Sequence, residues 1–147
     1  LLLPGFVNAH CHLSLSALKG KIPQGLPFVD WIRHVVRENT ALPFSERCRA
    51  TREGATALAQ SGVTYLVDYL SQHELIAEYA GYPFRQLLLY EVIGFQSARA
   101  DEVASCVENL LREHPGHHGT IQLGLAAHAP YSVSPAPAPT HAATPAP

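Results

Sequence analysis

The sequence predicts an α/β fold built on a parallel sheet, and three observations carry that prediction. Strand-like and helix-like patterns alternate along the chain. The strands are near-continuous apolar runs, as burial on both faces of a parallel sheet requires. The residues best suited to chemistry stand where strands end, which is where parallel α/β folds place their sites.

The first strand is Phe6-Val7-Asn8-Ala9-His10, set off by the Pro4-Gly5 breaker and running into Cys11 and His12. A loop punctuated by Gly20, Pro23, Gly25 and Pro27 follows. Phe28, Trp31, Ile32, Val35 and Val36 then recur at helical spacing. Pro43 and Ser45 introduce a second helix with Cys48, Ala55, Leu58 and Ala59 on one face and Gly62 just past its end. Val63 to Val67 is a second strand that stops at Asp68. Ser71-Gln72-His73-Glu74 has capping-box spacing and opens a short helix through Leu75, Ile76 and Tyr79, halted by Gly81 and Pro83. Phe84 to Ile93 is the third strand and carries Glu91. A helix with Val103, Val107, Leu110 and Leu111 on one stripe ends at Pro115-Gly116, and Ile121 to Ala127 forms a fourth strand leading to His128.

Composition narrows the functional classes. The 147 residues are 47% hydrophobic and 15% charged, the make-up of a packed interior rather than a disordered chain. Ten Lys/Arg stand against twelve Asp/Glu without a basic stripe, so nucleic acid is not the expected partner. The opening apolar run Leu1 to Val7 is too short to span a membrane and lacks the basic flank of a secretory leader. Cys11, Cys48 and Cys106 form no C-x-x-C pair and no disulfide framework, which fits a cytoplasmic setting. No Gly-rich phosphate loop follows any strand, which weakens a doubly wound nucleotide-binding reading.

The last thirteen residues hold five of the twelve prolines and show no apolar period. Residues 1–134 are therefore expected to form the folded unit and 135–147 a disordered Pro/Ala-rich tail, read as a frameshift or junction product in preference to a natural extension. With no Met anywhere in the chain, its start also reads as cut, so a piece of a longer domain is expected.

His10 and His12 are the sharpest chemical feature. Residues two apart on a strand point to one face, so the pair presents two imidazoles to a single point, as a divalent metal requires. Two unrelated polar residues at a strand end are the plainer alternative. His117 and His118 are expected in a solvated loop, and His34, His73 and His114 on helix surfaces.

Leu3-Pro4-Gly5-Phe6-Val7-Asn8-Ala9-His10-Cys11-His12-Leu13 resembles the first barrel strand of the amidohydrolase superfamily, with its P-G-F-x-N-x-H-x-H segment. Gly62 to Asp68 resembles that family's second strand. His128-Ala129-Pro130-Tyr131-Ser132 resembles the fourth-strand H-A-P-Y segment of its nucleoside and nucleobase deaminase and chlorohydrolase branch. Tyr90-Glu91-Val92-Ile93-Gly94 is similar to aminodeoxyfutalosine deaminase-like members.

The resemblance implies a (β/α)8 TIM-barrel fold, present as an incomplete half barrel of about four βα units, and a metal-dependent hydrolase acting on C–N bonds other than peptide bonds. It implies that His10 and His12 ligate one divalent metal, zinc first and iron second, whose bound water becomes a hydroxide near neutral pH. His128 would bind substrate, a purine or nucleoside-like amine, with Glu91 and Trp31 as looser pocket candidates; for Trp31 a core aromatic is the stronger alternative. Ser14 stands where close relatives often carry Glu. The only lysines, Lys19 and Lys21, lie after strand one, which disfavours the two-metal subclass with a bridging carboxylated lysine.

The family's further ligands and catalytic Glu have no counterpart here: no Asp follows Asp101, no Glu follows Glu113 and only His141 follows His128. The chain alone is accordingly expected to bind metal weakly, to show no turnover, and to associate with another copy through its open edges. A non-catalytic α/β binding module is the rival reading.

Overall fold

A computed structural model describes residues 2–93 and 117–129, together with positions 105, 108, 109, 112 and 113, all five of which are helical. The elements are β1 (Phe6–Cys11), a 3-10 helix (Leu13–Leu18), α1 (Phe28–Ala41), α2 (Phe44–Gln60), β2 (Val63–Leu70), a second 3-10 helix (His73–Tyr79), β3 (Arg85–Val92), β4 (His117–His118) and β5 (Ile121–Ala127). The predicted apolar stripe Val103, Val107, Leu110 and Leu111 and the Pro/Ala tail lie outside the described residues.

One five-stranded sheet runs in the order β1-β2-β3-β5-β4. β1, β2, β3 and β5 are parallel, and the two-residue β4 pairs antiparallel with β5. The parallel strands follow chain order without reversal. A doubly wound sheet would turn back at a switch point, and this one advances in one direction, as a barrel wall does.

The sheet packs its helix-side face onto a core of Leu13, Cys48, Ala55, Leu66, Leu70, Leu75, Tyr79, Phe84, Leu88 and Ile121. Period two decides which side chains enter it: Leu66, Asp68 and Leu70 are buried, whereas Tyr65, Val67 and Tyr69 on the opposite face are half-exposed. α2 contributes Cys48 and Ala55, with Leu58 and Ala59 packed at the margin, as its periodicity predicts. Gly62 follows α2 at φ +86°, and its N–H donates to the Ala59 carbonyl at 3.1 Å. A Cβ in that left-handed conformation is strained, so Gly62→Ala is expected to lower stability by about 1–2 kcal/mol in chemical denaturation. The buried Arg47 closes the joint between the helices, donating to Asn39 Oδ1 at 2.9 Å and to the Asn39 carbonyl at the end of α1.

The structure departs from the sequence reading in four places. Leu13–Leu18 is a 3-10 helix where only loop was expected. The capping-box segment also forms a 3-10 helix, because only seven residues separate Gln72 from Ala80. β2 continues three residues past Val67, since Asp68, Tyr69 and Leu70 keep pairing with Leu88, Leu89 and Tyr90. His117 and His118 form a strand rather than a plain loop, turned back onto β5 by Gly119 at φ +63°. α1 forms as predicted, but no residue on it is buried, and Phe28 is 69% exposed.

Candidate functional site

The site assembles at the C-terminal ends of β1, β2, β3 and β5. His10 lies on β1 and His12 just past it, and their rings stand 5.2 Å apart, edge to face. The pairing of β1 with β2 is irregular between Asn8 and Cys11, so the two imidazoles are not held by regular strand geometry alone. Tyr69, at the end of β2, supplies the missing wall: its ring centre is 4.3 Å from His10 and 5.5 Å from His12. Sequence reasoning passed over Tyr69. Its signal was the alternation Tyr65, Val67, Tyr69, visible only once β2 is extended beyond Asp68.

Burial pushes the His12 imidazole toward its neutral form, with His10 and His128 acting in the same direction; Glu91 opposes them, as does a hydrogen bond to the Tyr69 backbone. Neutral imidazole is the form that ligates metal, and a backbone hydrogen bond of this kind orients ligating histidines. Four of the sequence-predicted residues, His10, His12, Glu91 and His128, therefore share one electrostatic neighbourhood. Glu91 Oε1 lies 2.5 Å from His128 Nδ1. Trp31 lies on α1, 42% exposed and stacked on Phe28. Lys21 forms an ion pair with Glu46 at 3.0 Å.

Between the two histidines, Cys11 turns the other way, packing against the core beside Asp68. Burial, with the Asp68 carboxylate next to it, pushes the Cys11 thiol up to about 12, which favours its protonated form. Asp68 is fully buried and acts as a clamp. Its carboxylate accepts the Leu13 N–H at 3.1 Å, the Tyr69 N–H at 3.0 Å and the Tyr79 hydroxyl. It thereby ties the residue after His12 to the residue whose ring lines the pair.

Two imidazoles bound at ~2.0–2.1 Å to one tetrahedral ion would hold their ring centres about 5 Å apart, close to the separation seen. His10 and His12 thus suit two positions of a metal site. Among the described residues, no group of three or more His, Cys, Asp or Glu side chains forms a metal-binding cluster. His10 and His12 would supply two donors of the four that a tetrahedral site needs.

Comparison with known proteins decides the lineage. The model of the amidohydrolase family matches residues 1–138. The chain belongs to the amidohydrolase family. It is 30% identical over 135 residues to an aminodeoxyfutalosine deaminase from a Nitratiruptor species, covering 90% of this chain and 33% of that protein. It is 29% identical to the 5-methylthioadenosine/S-adenosylhomocysteine deaminase 2 of Archaeoglobus fulgidus, covering 92% and 33%. Among solved structures, Helicobacter pylori aminofutalosine deaminase in complex with methylthio-coformycin matches with a TM-score of 0.78 and 25% identity, over 89% of this chain and 31% of that one. A Xanthomonas campestris adenosine deaminase with bound zinc matches with a TM-score of 0.68 and 26% identity, over the same shares. This amidohydrolase chain spans about a third of the length of these relatives, and its sheet is the corresponding part of a barrel. No helix among the described residues is long and apolar enough to cross a membrane.

Proposed function

We propose that this chain is the N-terminal part of a metal-dependent hydrolytic deaminase acting on a nucleoside-like amine, in which His10 and His12 ligate one divalent metal, zinc first, and His128 faces the substrate. The observation that carries the reading is the gathering of His10, His12, Glu91 and His128 at the C-terminal ends of adjacent parallel strands. The deaminase names of its relatives support the reaction class. A bound metal would supply a water acidic enough to act as hydroxide near neutral pH. The chain's own contribution is to hold the His10 and His12 imidazoles against Tyr69 and to place His128 beside them. Trp31, on the exposed α1, is the looser pocket candidate, and a cytoplasmic enzyme with a small-molecule substrate is the expected setting.

Zinc titration followed through the imidazole NMR signals tests the ligand assignment. Weak binding that shifts His10 and His12 and disappears in His10→Ala and His12→Ala is expected. Unchanged binding in both variants overturns the assignment. Zinc held at one per chain through dialysis against chelator overturns the half-site reading. Ammonia release from adenosine-type nucleosides by the chain joined to the remaining barrel strands tests the reaction, with loss of release in His12→Ala as the expected result.

A further inference from the structure

Glu91 has a partner already. β3 and β5 pair in unbroken parallel register from Gln86 opposite Ile121 to Val92 opposite Ala127, which sets Glu91 opposite Ala126. The period of two then brings His128 to the same face as Glu91. The His128 N–H donates to the Val92 carbonyl at 3.1 Å, carrying the ladder one step beyond β5 and fixing the backbone from which the imidazole extends. Within that frame the Glu91 side chain is only 9% exposed and the His128 side chain 39% exposed, with Oε1 and Nδ1 2.5 Å apart.

A carboxylate oxygen at that distance accepts, so the proton sits on Nδ1. The hydrogen bond made by one ring nitrogen decides what the other can do. We propose that Glu91 is a positioning residue: it locks His128 in the Nδ1–H tautomer and leaves Nε2 as the ligand-facing atom, an acceptor for an N–H or O–H donor. Glu91 acts through His128 rather than on the ligand, because its side chain is only 9% exposed and its Oε1 is engaged by the imidazole. Its assignment as a pocket residue is thereby narrowed to one acting through His128. The ligand-facing role of Nε2 rests on the function proposed above; the tautomer does not, and the two can fail separately.

The test is a two-bond proton–nitrogen correlation spectrum of the ¹⁵N-labelled chain at mildly alkaline pH, where imidazoles are neutral, with the His128 signals assigned by their loss in His128→Gln. His128 is expected to show a protonated Nδ1 and an unprotonated Nε2. Glu91→Ala should return it to the tautomer mixture of free histidine with the His10 and His12 signals in place, and Glu91→Gln, which keeps a carbonyl acceptor, should retain the Nδ1–H pattern. A protonated Nε2 in the unaltered chain overturns the proposal, whatever the folding of the variants. An unchanged His128 pattern in Glu91→Ala overturns it as well. Deaminase activity plays no part in this readout, so an Nδ1–H pattern together with no ammonia release from the chain joined to the remaining barrel strands would overturn the proposed function alone.

Discussion

Asp68→Ala is expected to destabilise the chain by about 3–5 kcal/mol, measured as a fall in the denaturation midpoint with unchanged slope. The side chain is fully buried, and its removal strands the Leu13 N–H, the Tyr69 N–H and the Tyr79 hydroxyl without an acceptor. A loss of that size is a large part of the stability of any single domain. Asp68→Asn should cost less, because its amide oxygen can still take the two backbone donors that Oδ1 serves.

The same residue gives stability a pH dependence with a definite sign. Burial raises the Asp68 carboxyl to about 6, against the pull of its hydrogen bonds from Tyr79, Leu13, Tyr69 and Cys11. Its folded pKa lies above the unfolded value of about 3.9, so the folded state binds the extra proton. The favourable contribution is therefore complete below about pH 4 and is lost as the pH rises through about 6. Denaturation midpoints of the unaltered chain should carry this downward component between those values, and Asp68→Asn should remove it. A component of opposite sign would show that the hydrogen bonds outweigh burial.

Leu88→Ala is the second large effect, expected at about 3–5 kcal/mol in the same measurement. Leu88 is fully buried on β3, paired with Asp68 on one side and Leu123 on the other. Its truncation opens a cavity between strands held on both flanks, which cannot close around it. The effect should also reach the site, because Glu91 stands three residues further along the same strand. A loss below about 1 kcal/mol would mean that the sheet repacks freely at its centre.

Most of the strand order was legible because apolar runs, Gly and Pro are local features. β5 was bounded correctly by Ile121 and Ala127, and His10, His12, Glu91 and His128 stood out as polar groups at strand ends. What could not be read depends on partners distant in the chain. Asp68 reads from the sequence as a group without catalytic role that bonds backbone at the strand end, and it does bond backbone; the distant partner, Leu13, 55 residues away, is what the sequence does not show. Tyr69 was hidden by ending β2 too early. Trp31 shows the converse: helical spacing with Phe28 and Ile32 is a real pattern, yet among the described residues little covers that face. The second 3-10 segment escaped because capping-box spacing announces a start and says nothing about pitch.

The spacing of the strand pairs also bears on the order in which the chain folds. Tyr65 meets Arg85 across a short connection, whereas Phe6 meets Val63 across one about three times as long. Each doubling of a loop adds about 0.6 kcal/mol of closure entropy, so the β2–β3 pair has the lower barrier. On closure entropy alone, β1 is expected to dock after β2 and β3 have paired around Leu66, Leu70 and Leu88, bringing His10 and His12 with it, an order that mutational analysis of the folding rates tests.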